Sequence, residues 1–334
     1  MAAMDGGAAG KTKGMKTVCV TGAGGFIASW LVQRLLSAGG YVVHGTVRDP
    51  SDPKNAHLLA LDGAGERLRL FKADLLEYAS VAAAVAGCDG VFHVASPVPA
   101  VNPTNPDAEV LAPAVTGTRN VLKASHAAAV RRVVVVSSVG AVIMNPEIPD
   151  GAVADEDCWS DEDYCRATEN WYCLSKTQAE REALAYGEKA GTTAMDVVAV
   201  CPPWVLGPLL QPTLNTTSMR LVTYLTGENT NEKTRNMVDV RDVVQALVLA
   251  LETPEASGRR FICSAHAMKV SEIVGIVQKL HPDLKLSYPR KFVKVEDEKE
   301  VSSKRLQALG WKFRTVEETL RDTIDSYKAA GILN

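Results

Sequence analysis

Short β-branched apolar runs that end in small or polar residues alternate with stretches whose apolar positions fall at helical spacing. Thr17 to Val20 ends in Thr21-Gly22 and leads into a helical pattern over 26–36, FIASWLVQRLL. Tyr41 to Val47 ends at Arg48-Asp49-Pro50, Leu68 to Phe71 at Asp74, Gly90 to Ala95 at Ser96, and Arg132 to Val136 at Ser137-Ser138. Helical stretches over 79–87 and 107–129 separate the later runs. Near-continuous apolar strands alternating with helices predict an α/β fold whose parallel sheet is covered on both faces. Right-handed crossovers make a doubly wound sheet the economical topology.

The second half changes character. A helix of about twenty residues is predicted after Asn170, then a strand at Met195–Val200 running into Cys201-Pro202-Pro203. Beyond Gly207-Pro208 a polar, Thr/Asn-rich region extends to Asn236. Helix is predicted over most of Val238–Leu251, strand at Arg260–Cys263 and helix at Ser271–Leu280. Strand-like and loop segments around 285–294 precede helical stretches near 302–309 and 316–329. The expected organisation is a disordered Gly/Ala-rich lead-in over 1–15, a nucleotide-binding sheet over 16–201, and a smaller lobe over 202–334. Some segments of that lobe should return to the sheet.

Composition narrows the function classes. Hydrophobic residues at 46% and charged residues at 22% exclude a disordered or collagen-like chain. Thirty-six basic against 39 acidic residues, mixed along the chain, argue against nucleic acid as the partner. Seven cysteines without CxxC pairs speak against a disulfide scaffold and a structural zinc site, so no metal is expected. No apolar run approaches the ~20 residues of a membrane span. The expectation is a soluble cytoplasmic protein acting on a small molecule, with a monomer expected.

Candidate chemistry begins at Gly22-Ala23-Gly24-Gly25-Phe26-Ile27-Ala28, between the first strand and the first helix. Glycines there allow a tight turn and let backbone N–H groups reach a pyrophosphate at the helix N-terminus, while Ala28 is small enough for helix–sheet packing. This is the Rossmann arrangement. The second strand ends in Arg48 rather than an acidic residue; a guanidinium there can pair with a ribose 2′-phosphate, and Lys54 is near enough in sequence to help. A solvated loop cation is the alternative. The preferred cofactor is therefore NADPH. Asp74-Leu75 ends the third strand, where Asp74 either accepts from the adenine amino group or caps a helix.

Tyr172-Cys173-Leu174-Ser175-Lys176 places a phenol and an ammonium one helical turn apart. An adjacent ammonium favours the phenolate and should lower the phenol pKa, fitting Tyr172 to give a proton to a developing alkoxide. Ser137 and Ser138 bring a hydroxyl to the same oxygen.

Together these landmarks resemble the extended short-chain dehydrogenase/reductases, within them the plant cinnamoyl-CoA reductase and dihydroflavonol reductase group. The resemblance runs from about Lys16 to the carboxy terminus. Further landmarks are Lys72-Ala73-Asp74-Leu75-Leu76, Gly90-Val91-Phe92-His93-Val94-Ala95-Ser96-Pro97 and Leu206-Gly207-Pro208-Leu209-Leu210-Gln211-Pro212-Thr213. Asn170-Trp171-Tyr172-Cys173 is similar to the cinnamoyl-CoA reductase signature Asn-Trp-Tyr-Cys-Tyr-Gly-Lys. The resemblance implies that Ser138, Tyr172 and Lys176 are catalytic and that Lys176 also holds the nicotinamide ribose. It implies a cofactor site of Thr21, Gly22, Gly24, Gly25, Phe26, Ile27, Arg48, Lys54, Asp74, Leu75, Ala95, Tyr172, Lys176 and Pro202. The implied reaction takes a hydroxycinnamoyl thioester to aldehyde and free CoA with NADP(H), in phenylpropanoid and lignin chemistry.

Departures fall where substrate should lie. The signature continues Leu174-Ser175-Lys176, and the family's pocket His and Lys are replaced by Arg220 and Thr223. Arg220 and Lys269 could then take over contacts to CoA phosphates. A second reading is a reductase of an aromatic aldehyde or ketone. Dihydroflavonol reduction fits less well, because Ile143 stands where that group has a pocket Asn or Asp. A non-catalytic nucleotide sensor is opposed by intact Ser138, Tyr172 and Lys176. Cys165 and Cys173 are either two apolar thiols or a reversible disulfide beside Tyr172. His93 reads as a satisfied core group, and the acidic run Asp155–Asp163 as a solvated face.

Overall fold

The computed structural model describes residues 14–98, 103–189 and 195–333. The lead-in expected over 1–15 lies outside the described residues except for Gly14 and Met15. In chain order the strands are β1 (Lys16–Val20), β2 (Tyr41–Val47), β3 (Leu68–Lys72), β4 (Gly90–His93), β5 (Arg132–Val136) and β6 (Asp196–Cys201). They continue as β7 (Trp204–Leu206), β8 (Asn231–Glu232), β9 (Thr234–Asp239), β10 (Arg260–Ile262), β11 (His266–Lys269) and β12 (Val293–Lys294). Among the described residues a seven-stranded parallel sheet runs β10-β6-β5-β4-β1-β2-β3. This is the predicted doubly wound Rossmann sheet.

The first helices are α1 (Phe26–Ala38), α2 (Ala56–Leu59), α3 (Ala64–Arg67), α4 (Tyr78–Val85), α5 (Ala112–Ala127), α6 (Glu162–Ala167) and α7 (Trp171–Lys189). After β7 come α8 (Thr216–Leu225), α9 (Val240–Glu252), α10 (Val270–Leu280), α11 (Lys304–Ala308) and α12 (Val316–Ala329). Alternation along the strands divides the core between two faces. Val18, Val20, Val134, Val136, Val198 and Val200 pack with α1 and α9. Cys19, Val91, Val133, Val135 and Val197 face α4, α5 and α7.

The structure refines three expectations. The stretch 107–129 divides into a π-helical turn at Asp107–Leu111 and α5, where Pro113 in the first turn lacks an N–H to continue the ladder. The region up to Asn236, read as polar and Thr/Asn-rich, holds α8, β8 and the first half of β9. Its period is masked because α8 buries two hydroxyl-bearing residues, Ser218 and Tyr224, and β9 buries Arg235 and Asn236. Helix does cover most of Val238–Leu251, as α9, but it starts at Val240 because β9 runs through Asp239, whose carboxylate accepts the Arg241 N–H at 2.8 Å.

The smaller sheet runs β11-β9-β7, with β9 parallel to β7 and antiparallel to β11. A second apolar cluster, including Trp204, Leu221, Ile273, Leu320 and Tyr327, joins it to α8, α10 and α12. The chain is interleaved: α9 and β10 return to the large sheet after β7 has left it.

Candidate active site

The turn after β1 is shaped to admit a group carried at the N-terminus of α1. Gly22 has φ +66°, and a Cβ there would stand 2.9 Å from Ala95 Cβ, so only glycine fits without displacement. At Gly24 a Cβ would stand 2.5 Å from Asn55 Oδ1, whose Nδ2 is held by Asp49 O at 2.9 Å. Gly25 is the N-cap of α1 and brings no capping side chain, so the Phe26 and Ile27 N–H groups are left for an external acceptor. Thr21 Oγ1 accepts the N–H groups of Val94 and Ala95 at 3.0 Å each and lies 3.0 Å from His93 Nδ1. His93 Nε2 lies 3.0 Å from Thr118 Oγ1, and burial pulls its pKa down to about 3, so it is a neutral, satisfied core group.

Arg48 is exposed at the tip of β2. Lys54 pairs with Asp52 at 2.7 Å, so it is not the free cation its sequence position suggested. Asp74 is no helix cap: its Oδ1 accepts from Leu76 N at 2.8 Å, and the N-cap position of α4 is held by Glu77, without a side-chain capping bond. Leu75 packs against Gly117 on α5, while its carbonyl accepts from Asn120 Nδ2 at 2.8 Å. Pro202 is buried after β6, and its carbonyl accepts from Val139 N at 3.0 Å.

Ser138, Tyr172 and Cys173 converge on Gly140. A Cβ at Gly140 would lie 3.3 Å from Ser138 Oγ, 3.6 Å from Tyr172 Cε1 and 3.1 Å from Cys173 Sγ. Ser138 Oγ accepts from Gly140 N at 3.0 Å and lies close enough to the Tyr172 phenol to favour its ionised form. Lys176 is buried; its Nζ donates to Val136 O at 3.1 Å and lies 6.0 Å from the Tyr172 ring centroid. Burial pushes the phenol up to about 12, against the opposing pull of Ser138 and Arg220. Burial also pulls Lys176 down to about 8, opposed by Cys201 and Glu180. The expected lowering of the phenol is therefore reversed, because desolvation outweighs the ammonium across that gap.

Arg220 lies near enough to Tyr172 for each charge to act on the other, and its guanidinium makes no ion pair among the described residues. Arg235 is held by Glu298 at 2.6 Å, and Lys233 lies 4.0 Å from the same carboxylate. Thr223 donates its hydroxyl to Arg220 O at 2.9 Å, within its own helix. Ile143 packs beside Val139 and Val142. Cys165 and Cys173 are both free thiols, raised by burial to about 11 and about 12.

Sequence reasoning missed the buried pair behind Lys176, Glu180 with Arg260. The sequence signal was present: Glu180 follows Lys176 by four residues on the same face. It also missed Trp159, whose ring lies under Arg260.

Residues 18–263 match the NAD dependent epimerase/dehydratase family. The chain belongs to that family. Cinnamoyl-CoA reductase 1 of Petunia hybrida is 46% identical over 324 residues, 95% of this chain and 94% of the relative. Cinnamoyl-CoA reductase 2 of Medicago truncatula is 47% identical over 329 residues, 96% and 94%. In structure, yeast methylglyoxal/isovaleraldehyde reductase Gre2 complexed with NADPH matches at TM-score 0.83 and 27% identity, covering 95% of this chain and 99% of that one. This family member is an oxidoreductase that uses NADP(H), similar to cinnamoyl-CoA reductases. The glycine cradle and the open start of α1 suit that nucleotide. Among the described residues, no helix is long and apolar enough to cross a membrane, and no cluster of three or more His, Cys, Asp or Glu could hold a metal ion.

Proposed function

We propose that this chain reduces hydroxycinnamoyl-CoA thioesters to hydroxycinnamaldehyde and free CoA. The observation that carries the substrate reading is the excess of positive charge around Arg220, which itself acts on Tyr172. Glu298 serves both Lys233 and Arg235, and Arg220 is left without an ion pair. Such a surplus suits the phosphates of CoA, and the identity to two cinnamoyl-CoA reductases supports the same reading.

In this reading residues 16–201 hold the nucleotide and 202–334 mainly cover the substrate. Thr21, Gly22, Gly24, Gly25, Phe26 and Ile27 cradle the pyrophosphate. Arg48 would take the 2′-phosphate, with Lys54 held back by its pair with Asp52, Asp74 and Leu75 would flank the adenine, and Ala95, Pro202 and Lys176 would lie toward the nicotinamide. Bound NADPH supplies the hydride. Ser138 Oγ holds the substrate carbonyl oxygen, and Tyr172 Oη donates a proton to it as it becomes an alkoxide. The Lys176 ammonium stabilises the phenolate left behind. The hemithioacetal hydroxyl then returns its proton to the Tyr172 phenolate as the C–S bond breaks, leaving the aldehyde, and the departing CoA thiolate takes up a proton from water.

Reduction of an aromatic aldehyde or ketone is the second reading. It is favoured by Thr223, whose hydroxyl is spent inside α8 and which brings no charge for a phosphate. NADPH oxidation with feruloyl-CoA and with coniferaldehyde separates the two. Thioester turnover is expected; turnover of the aldehyde alone would reject the first reading in favour of the second.

A further inference from the structure

Directly behind Lys176 the structure buries an ion pair that the reaction as derived does not use. Glu180 is fully buried and accepts from Arg260 Nε at 2.7 Å and Nη2 at 3.1 Å, and from Ser137 Oγ at 2.6 Å. Cys201 Sγ lies 3.5 Å from both carboxylate oxygens. Arg260 in turn donates to Cys158 O at 2.7 Å, Glu156 O at 3.3 Å and Ala141 O at 3.4 Å, with its guanidinium carbon 3.6 Å from the Trp159 ring centroid. Burying two charges costs desolvation that their attraction seldom exceeds, so stability alone does not account for this pair. Its position does. One carboxylate joins the end of β5, where Ser137 precedes Ser138, to α7 one turn beyond Lys176, and Arg260 fastens both to β10 and to the Val139–Ala141 turn.

We propose that Glu180, clamped by Arg260, is a positioning residue: it ties the Ser138 turn to α7 and supplies the negative charge that keeps the Lys176 ammonium protonated. Lys176 and Glu180 line one small cavity together with Ser137, His93 and Thr118, and it has room for about one water. The other groups around Lys176 do not replace this charge. His93 on β4 is neutral, Thr118 on α5 is uncharged, and burial keeps the Cys201 thiol on β6 protonated. Tyr172 is neutral below its raised pKa, and Arg260 carries the opposite sign.

The proposal rests on the reductase reading of Tyr172 and Lys176, but its test does not need turnover. In full-length protein labelled with 13Cε-lysine, the Lys176 resonance is identified by its loss in Lys176→Met and titrated by NMR. Glu180→Gln is expected to lower the midpoint by about one pH unit, and Glu180→Asp to keep it within about 0.3 of the native value. With substrate, that shift means about a fivefold loss of kcat/KM at pH 8 and almost none at pH 6, because the protonated fraction recovers. A purely structural role would lower activity equally at both pH values. If Glu180→Gln does not fold, Glu180→Gln/Arg260→Gln removes both charges and should move the midpoint the same way. An unmoved midpoint in a folded variant overturns the proposal. A moved midpoint in a protein that reduces neither test substrate instead overturns the substrate reading and leaves the charge coupling in place.

Discussion

Arg48→Ala tests the cofactor assignment at the position where the charges are least redundant. Lys54 is already neutralised by Asp52 at 2.7 Å, and Arg48, exposed at the tip of β2, remains to meet a 2′-phosphate. A hydrogen bond between charged groups contributes about 1.5–3 kcal/mol, and exposure with salt screening puts this one near the lower end. The expected loss is therefore ~10- to 30-fold in NADPH affinity, read by quenching of protein fluorescence, with NADH changed by less than about twofold. Raising the salt should narrow the difference between the two nucleotides in native protein. Asp52→Asn supplies the counterpart. It frees Lys54 and removes a negative charge from the same corner, so NADPH should bind a few-fold tighter. Equal losses for NADPH and NADH in Arg48→Ala would refute the assignment, as would weaker NADPH binding by Asp52→Asn.

Other perturbations read other parts of the site. Tyr172→Phe should cut kcat by about 10²- to 10⁴-fold with the NADPH dissociation constant held within about twofold; near-native turnover rules out the phenol as proton donor. Gly22→Ala combines a positive φ with a Cβ 2.9 Å from Ala95 and should cost about 1–3 kcal/mol, a fall of several degrees in Tm by calorimetry. A melting curve within a degree of native would contradict it. His93 has a folded pKa of about 3 against an ordinary 6.5, so the unfolded chain binds the extra proton between those values and stability falls as pH drops through that window. His93→Gln should flatten urea-unfolding free energies between pH 6.5 and 4.5; an unchanged slope means the histidine is not the group responsible.

Legibility in the sequence followed burial on both faces. The central strands β4, β5 and β6 are near-continuous apolar runs because helices cover them on either side, and such runs announce themselves. The turn at Gly22 and the Tyr172–Lys176 spacing were readable because each is a local constraint on a few consecutive residues. By contrast β9, Thr234–Asp239, buries Arg235 and Asn236 through partners more than sixty residues away at Glu298 and Lys299. Its polar letters carry no strand period, since what makes them tolerable indoors lies elsewhere in the chain. The same reason hid Arg260, which opens an ordinary apolar strand. The pKa of Tyr172 was misjudged because spacing along a helix gives neighbours but not desolvation.

The return of β10 to the far edge of the sheet has a consequence for how the protein is made. Glu180 emerges from the ribosome eighty residues before Arg260. Until then its carboxylate has Ser137 but no counter-charge, and burying it alone is strongly unfavourable. α7 therefore cannot settle against β5 in its final form when its own sequence is complete, however strong its helical pattern. The nascent chain must first synthesise the small-sheet strands β7 and β9, then α9, and only then deliver the guanidinium. Docking of the last strand of the large sheet and completion of the ground beneath Lys176 are thus one late event. A chain interrupted before Arg260 would retain every residue of the Ser138, Tyr172 and Lys176 set yet lack the counter-charge that lets Glu180 stay buried behind Lys176.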